Sequence, residues 1–81
     1  MARAIVRFSM SGDDGTTTTT ARECMQKFGF RRVGTGSWEA SGAQIHDLMD
    51  AVRSVTEILE HPKKAGVLDH LWVYIDDEGR N

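Results

Sequence analysis

The sequence of 81 residues predicts an α+β sandwich, with two helices packed on one face of a four-stranded antiparallel sheet. Residues 3–10 and 68–75 alternate between apolar and polar side chains, which is typical of half-buried strands. Two segments between them carry apolar residues at the three-to-four-residue spacing of helices that bury one side. Between these two segments, Gly34-Thr35-Gly36 joins two short strand-like runs, which indicates a hairpin.

The first part of the chain is predicted to form a strand and then a helix. Strand 3–10 directs one face at the core, with Ala4, Val6, Phe8 and Met10. The helix is expected to end at Gly29, because glycine suits the left-handed conformation that follows many helices. Its buried stripe is expected to be Ala21, Cys24, Met25 and Phe28, with Thr17 and Thr18 on the same side.

The hairpin and a second helix come next. The hairpin strands are expected at residues 30–33 and 37–40. Ser41 and Gln44 have the spacing of a capping box, which predicts that a helix begins there, and Pro62 is expected to end it. The buried stripe of this helix is expected to be Ile45, Leu48, Met49, Val52, Val55 and Leu59.

The last strand, 68–75, completes the order strand, helix, strand, strand, helix, strand. Its core face is predicted to carry Leu71, Val73 and Ile75. This order closes as a ferredoxin-like sandwich, which we predict as a single domain over residues 1–81. A domain of this size buries roughly 60% of its unfolded surface, so a partner subunit would add to its stability.

Composition narrows the class of protein. The net charge of −2 gives no general attraction to nucleic acid or to an anionic membrane. Cys24 is the single cysteine, so neither an intramolecular disulfide nor a cysteine-based zinc site is expected. No signal peptide or membrane span is predicted, because no apolar run has the required length. We therefore expect a cytoplasmic protein.

Because two helices cover only one side of the sheet, the other side is expected to be open in a monomer. This side, here called the open sheet face, is predicted to carry Ile5, Arg7, Ser9, His70, Trp72 and Tyr74. Its aromatic residues would be anchors in a twofold homodimer, which the low positive charge favours, or platforms that stack bases of single-stranded nucleic acid. A third interpretation is a C-terminal segment folded over the face, for which only residues 76–81 remain.

Two stretches around the hairpin resemble a known family. They are Lys27-Phe28-Gly29-Phe30-Arg31-Arg32-Val33 and Ser37-Trp38-Glu39-Ala40. The pattern is similar to that of the small CRISPR-associated ferredoxin-like protein at the dimeric centre of the spacer-integration complex, and of its VapD-type and toxin-antitoxin relatives. The resemblance implies a homodimer. Many of these relatives add a C-terminal strand to the partner subunit, an extension that is short or missing here.

The resemblance also raises the question of nuclease activity. Some relatives are metal-dependent nucleases, in which an aspartate follows an aromatic residue at the end of the first strand and binds a divalent metal with its twofold mate. The matching residues here are Phe8 and Ser9, and serine is a poor magnesium ligand. Asp13 or Asp14, in a loop between glycines, would have to replace that carboxylate. The alternative is that this acid pair forms a turn and the start of a helix.

The remaining polar residues give weaker indications. Arg22, Lys27, Arg31 and Arg32 form the basic cluster, a candidate nucleic-acid contact or a solvated face. Thr20 and Glu23 have capping-box spacing, although Thr16 or Thr17 would also cap the first helix. We predict a homodimeric, non-catalytic binding or regulatory module without a cofactor, open to a further protein partner. The alternatives are a nuclease with magnesium as its cofactor, and a binder of single-stranded nucleic acid.

Overall fold

The computed structural model describes residues 1–77, and this part of the chain forms one sheet and two helices. The elements, in chain order, are β1 (Ala2–Ser11), α1 (Thr16–Lys27), β2 (Arg31–Gly34), β3 (Ser37–Ala43), α2 (Ile45–Leu59) and β4 (Val67–Asp76). Neither helix has the length and apolarity needed to cross a membrane within residues 1–77. The predicted short C-terminal segment, 76–81, falls mainly outside the described residues.

The sheet has the strand order β2-β3-β1-β4, and every pair of neighbours is antiparallel. The longest pairing joins β1 to β4, from Arg3 opposite Asp76 to Ser11 opposite Val67. Together with the order of the elements, this confirms the predicted ferredoxin-like α+β fold. β2 and β4 are the two edges of the sheet.

The core lies between the helices and one face of the sheet. The buried apolar residues are Ala2, Ala4, Val6, Phe8, Ala21, Met25, Phe30, Trp38, Ala40, Leu48, Ala51, Val55 and Leu59. The even-numbered residues of β1 from Ala2 to Phe8 all belong to this set. Since side chains alternate along a strand, the odd-numbered residues of β1 point to the opposite side, as predicted.

The predicted stripe of α2 is partly wrong. Ile45 and Met49 were expected in the core, but they are 50% and 47% exposed. At about 100° per residue, they lie about 80° and 120° from Val55 around the helix axis, at the margin of the buried arc. The buried residues of α2 are Leu48, Ala51, Val55 and Leu59. Ala51, which the predicted stripe left out, is 1% exposed.

The predicted stripe of α1 is wrong at its last residue. Phe28 lies just after the helix as its C-cap, with its side chain 43% exposed. Gly29 follows with a φ of 86°, which confirms it as the left-handed residue after the helix. This turn carries the chain back, so that Phe30 fills the core position and is only 4% exposed.

The predicted capping box of α2 is also wrong. Ser41 lies in β3, which extends to Ala43 because it continues to pair with β1 as far as Ala2. Gln44 is the N-cap, but its side chain makes no capping hydrogen bond. Its backbone carbonyl accepts from the N–H of Leu48 at 3.2 Å. Strand pairing therefore takes the residues that the local pattern assigned to the helix start.

Candidate functional sites

The open sheet face carries all six residues predicted for it, and none of them is buried. Across β1 and β4, the facing pairs are Ile5 with Tyr74, Arg7 with Trp72, and Ser9 with His70. Trp72 is 51% exposed and Tyr74 is 41% exposed. Two large aromatic side chains thus lie uncovered on the edge strand β4, on a face that the helices do not reach.

Trp72 and Tyr74 form an ordered aromatic strip. Their ring centroids are 6.3 Å apart and the ring planes differ by 13°, so the rings are stacked. The guanidinium carbon of Arg7 lies 6.0 Å from the centroid of the Trp72 ring, at the outer limit of a cation–π contact. The strip therefore offers one flat apolar surface with one cation beside it.

Charges of both signs surround this strip. The Arg3 guanidinium donates to Asp76 at 2.9 Å, and this contact raises the pKa of Arg3. Arg31 on β2 lies opposite Glu39 on β3 in the sheet register. Among the described residues of this face, Arg7 is the one arginine that neither bonds to a carboxylate nor lies opposite one in the sheet register. The face is consequently mixed in charge and not strongly basic.

The acid pair at the start of α1 caps the helix. The Asp13 carboxylate accepts hydrogen bonds from three backbone N–H groups, those of Gly15 at 3.1 Å, Thr17 at 3.3 Å and Thr18 at 3.0 Å. It also accepts from the Thr18 hydroxyl. Asp14 accepts from the N–H of Thr16 at 3.0 Å. The free N–H groups of the first turn are thereby satisfied, which confirms the interpretation of a turn and helix start.

The predicted threonine caps are wrong. Gly15 is the N-cap, with a φ of 100° and no side chain to offer, so the carboxylates before it take over the capping. Thr16 and Thr17 already lie inside the helix. The Thr20 hydroxyl donates to the Thr16 carbonyl at 2.9 Å instead of capping. A helix that begins with five threonines of low helix propensity is thus started by two aspartates.

The same hydrogen bonds lower the pKa values of Asp13 and Asp14, the predicted metal ligands. The Thr18 hydroxyl is the main cause that lowers the pKa of Asp13, and hydrogen bonding from Thr16 lowers that of Asp14. Within residues 1–77, no three His, Cys, Asp or Glu side chains come together in a metal-binding group. A nuclease that uses Asp13 or Asp14 stays a prediction, and magnesium would have to compete with the helix for these oxygens.

Replacement of Asp13 by alanine is expected to lower the melting temperature by roughly 4–8 °C, because three N–H groups lose their acceptor at once. Asp14→Ala, which removes one such contact, is the matched control with a smaller fall. Because the folded-state pKa of Asp13 is lowered, its stabilisation is complete above the ordinary carboxyl pKa of about 4 and is lost as the pH falls through the folded value. Calorimetry across this pH range should show the gap in melting temperature between wild type and Asp13→Ala closing as the pH falls. A gap that stays constant into strong acid would contradict this.

The predicted basic cluster is divided among three places. Arg22 and Arg32 line one pocket together. Lys27 lines a separate groove beside Phe28 at the end of α1. Arg31 lies opposite Glu39, which itself faces the open-face residue Ile5, so Arg31 belongs to the open sheet face. Adjacent strand residues point to opposite sides, which separates Arg31 from Arg32.

One contact between distant segments has no local signal in the sequence. The Thr17 hydroxyl donates to the Ala65 carbonyl at 3.1 Å and accepts from the Ala65 N–H at 3.0 Å. The next residue, Gly66, lies against the backbone of Ser11 and Asp13. We call these five residues the α1–β4 junction. It holds the chain just before β4 against the start of α1 and the end of β1.

The sequence matches no family model, no curated protein and no solved structure. The two stretches that resemble the CRISPR-associated and VapD-type proteins form the end of α1 and the hairpin of β2 and β3. That relationship remains a prediction from those residues. The functional assignment accordingly rests on the geometry of the open sheet face.

Proposed function

We propose that this protein is a non-catalytic homodimeric binding or regulatory module, in which two copies pack open sheet face against open sheet face. The observation that carries the proposal is the half-exposed, stacked pair of Trp72 and Tyr74 on the uncovered side of the sheet. Large aromatic residues are the usual anchors of protein interfaces, where a partner removes them from water. The CRISPR-associated and toxin-antitoxin resemblance, which implies a homodimer, points the same way.

The charges favour a second copy of the chain over a polyanion. Arg3 is paired with Asp76, and Arg31 faces Glu39 across the hairpin. A twofold interface sets the same patch against itself, so a face with both signs can be complementary to its own copy. Nucleic acid instead requires several cations that are free to meet phosphates, and Arg7 is the one that the described face provides.

Two polar contacts next to the aromatic strip are already made within the chain. The Tyr74 hydroxyl donates to Asp76 at 3.0 Å, and the same carboxylate oxygen accepts from Arg3 at 2.9 Å. Burying these groups in an interface therefore does not strip them of their hydrogen-bond partners, which is the main cost of burying polar groups. Within residues 1–77, Arg3 Nε and the second carboxylate oxygen of Asp76 are buried without a partner, so a second copy would have to supply one.

The replacement of Trp72 by lysine tests the proposal. It is expected to raise the dissociation constant of the dimer by at least about 30-fold, the effect of removing a hot-spot residue worth about 2 kcal/mol. Sedimentation equilibrium measures this constant. Phe28→Lys is the matched control, because Phe28 is similarly exposed at 43% but lies on the helix side of the molecule. Its dissociation constant should equal that of the wild type, and circular dichroism checks the fold of both variants.

Two results would contradict the dimer. One is a wild-type protein that sediments as a monomer at the highest soluble concentration. The other is a Trp72→Lys variant that dimerises as tightly as wild type, which would place the interface on another surface.

The stacked strip with Arg7 at its side also favours a second candidate, the binding of single-stranded nucleic acid. The same samples distinguish the two. In the dimer Trp72 is covered, so oligothymidylate at low salt should leave its fluorescence unchanged. Trp38 is 3% exposed and contributes a constant background. Saturable quenching that Arg7→Gln weakens would support the second candidate instead.

A further inference from the structure

A small pocket opens on the helix side of the sheet, away from the open sheet face. Its volume is about 190 Å³, and it lies where α1 passes the hairpin of β2 and β3. The buried aromatic side chains of Phe8 and Trp38 supply its apolar lining. Arg22 from α1 and Arg32 from β2 supply its cations. No acidic side chain is among the described residues that line it.

Arg22 has a buried donor atom without a partner, as Arg3 does among the described residues. Its Nε atom is buried and has no hydrogen-bond partner. Within residues 1–77, Arg22 also forms no ion pair at 4.0 Å or less. A buried donor without an acceptor costs free energy, and more so when it carries charge, so such groups in folded proteins require an explanation. The pocket lies beside the same guanidinium group, whose terminal nitrogens would donate to an anion there.

Arg32 supplies a second guanidinium, held in place by its own hairpin. Its Nε donates to the Gly34 carbonyl at 3.3 Å, which leaves the terminal nitrogens available. Both arginines line the same pocket and no carboxylate among the described residues does, so an anion there would meet two cations. Thr18 also lines the pocket, but it gives its hydroxyl proton to Asp13, so the arginines are the donors on which binding depends.

We propose that this pocket binds a phosphate group between Arg22 and Arg32. Guanidinium groups present paired N–H donors that match two phosphate oxygens at once. The volume of about 190 Å³ is below the 300–1,000 Å³ typical of sites for whole small molecules, so the pocket takes the phosphate and leaves the rest of its carrier outside. Apolar walls strengthen the attraction by keeping water from one side of the ion.

Titration calorimetry with inorganic phosphate tests the site, with chloride at equal ionic strength as the reference. We expect a dissociation constant of about 1 mM or tighter. Arg22→Gln and Arg32→Gln should each weaken binding at least about tenfold, as expected when one of two charge-assisted contacts is lost. Lys27→Gln is the matched control: it also removes one positive charge from α1, but Lys27 lines the separate groove beside Phe28, so the constant should stay unchanged.

Two further ligands identify the source of the phosphate. If a 5′-phosphorylated dithymidylate binds more tightly than both inorganic phosphate and the unphosphorylated dinucleotide, the site recognises a nucleic-acid end. Equal affinity for inorganic phosphate and the phosphorylated dinucleotide assigns free phosphate. The proposal is overturned if neither inorganic phosphate nor the phosphorylated dinucleotide binds. It is also overturned if binding survives unchanged in both Arg22→Gln and Arg32→Gln. Since the pocket lies away from the open sheet face, Arg22→Gln and Arg32→Gln should keep the oligomeric state of wild type. The phosphate proposal can therefore fail while the proposed dimer holds, and the reverse.

Discussion

Replacement of Gly66 by alanine is expected to destabilise the protein by about 2–5 kcal/mol, through a strained backbone and a steric clash that add together. Gly66 has a φ of 79°, in the left-handed region. A Cβ atom there would lie 2.6 Å from the Ser11 carbonyl oxygen and 2.7 Å from the Asp13 nitrogen. Both are backbone atoms, one at the end of β1 and one in the loop before α1, so the clash cannot be relieved by moving a side chain. A domain of this length has a total stability of only about 4–12 kcal/mol.

Gly29→Ala is the matched control for this prediction. Gly29 has a similar φ of 86°, but a Cβ atom there would meet no other atom within 4 Å. It should cost only the left-handed strain, about 1–2 kcal/mol. Urea denaturation followed by circular dichroism measures both losses. If the two substitutions cost the same, the close approach of Gly66 to Ser11 and Asp13 is not what makes this glycine necessary.

The order of the elements and the open sheet face could be predicted because both depend on local periodicity. Alternation along β1 and β4 fixes which side each residue occupies once the pairing is antiparallel. The predicted strand 68–75 differs from the observed Val67–Asp76 by one residue at each end. The same alternation places Trp72 and Tyr74 together on the open sheet face.

What the sequence could not provide depends on contacts between distant residues. Arg31 and Arg32 are adjacent in the chain and were grouped together, yet the pleat of β2 sends them to opposite sides of the sheet. Arg22 and Arg32, from different elements, meet at one pocket. The choice of Asp13 over a threonine as the helix cap follows from a glycine at the N-cap, which the local pattern does not determine.

Replacement of Thr17 by valine is expected to destabilise the protein by about 2–4 kcal/mol, because it removes both hydrogen bonds to Ala65 and keeps the shape of the side chain. Thr17 is 5% exposed, so water cannot readily take the place of its hydroxyl. The Ala65 N–H and carbonyl would each lose their partner at the α1–β4 junction. Thr19→Val is the control, since Thr19 lies on the same helix with an exposed side chain and the same branching at Cβ.

The double variant Thr17→Val with Gly66→Ala shows whether the junction acts as one unit. Gly66 must shift away from Ser11 and Asp13 to admit a Cβ atom, and this shift would pull Ala65 away from Thr17. The second substitution then has little left to remove, so the combined loss should fall short of the sum of the single losses by at least about 1 kcal/mol. Urea denaturation of the four proteins measures this coupling. Fully additive losses would mean that the Thr17 contact and the Gly66 contact hold the start of β4 independently.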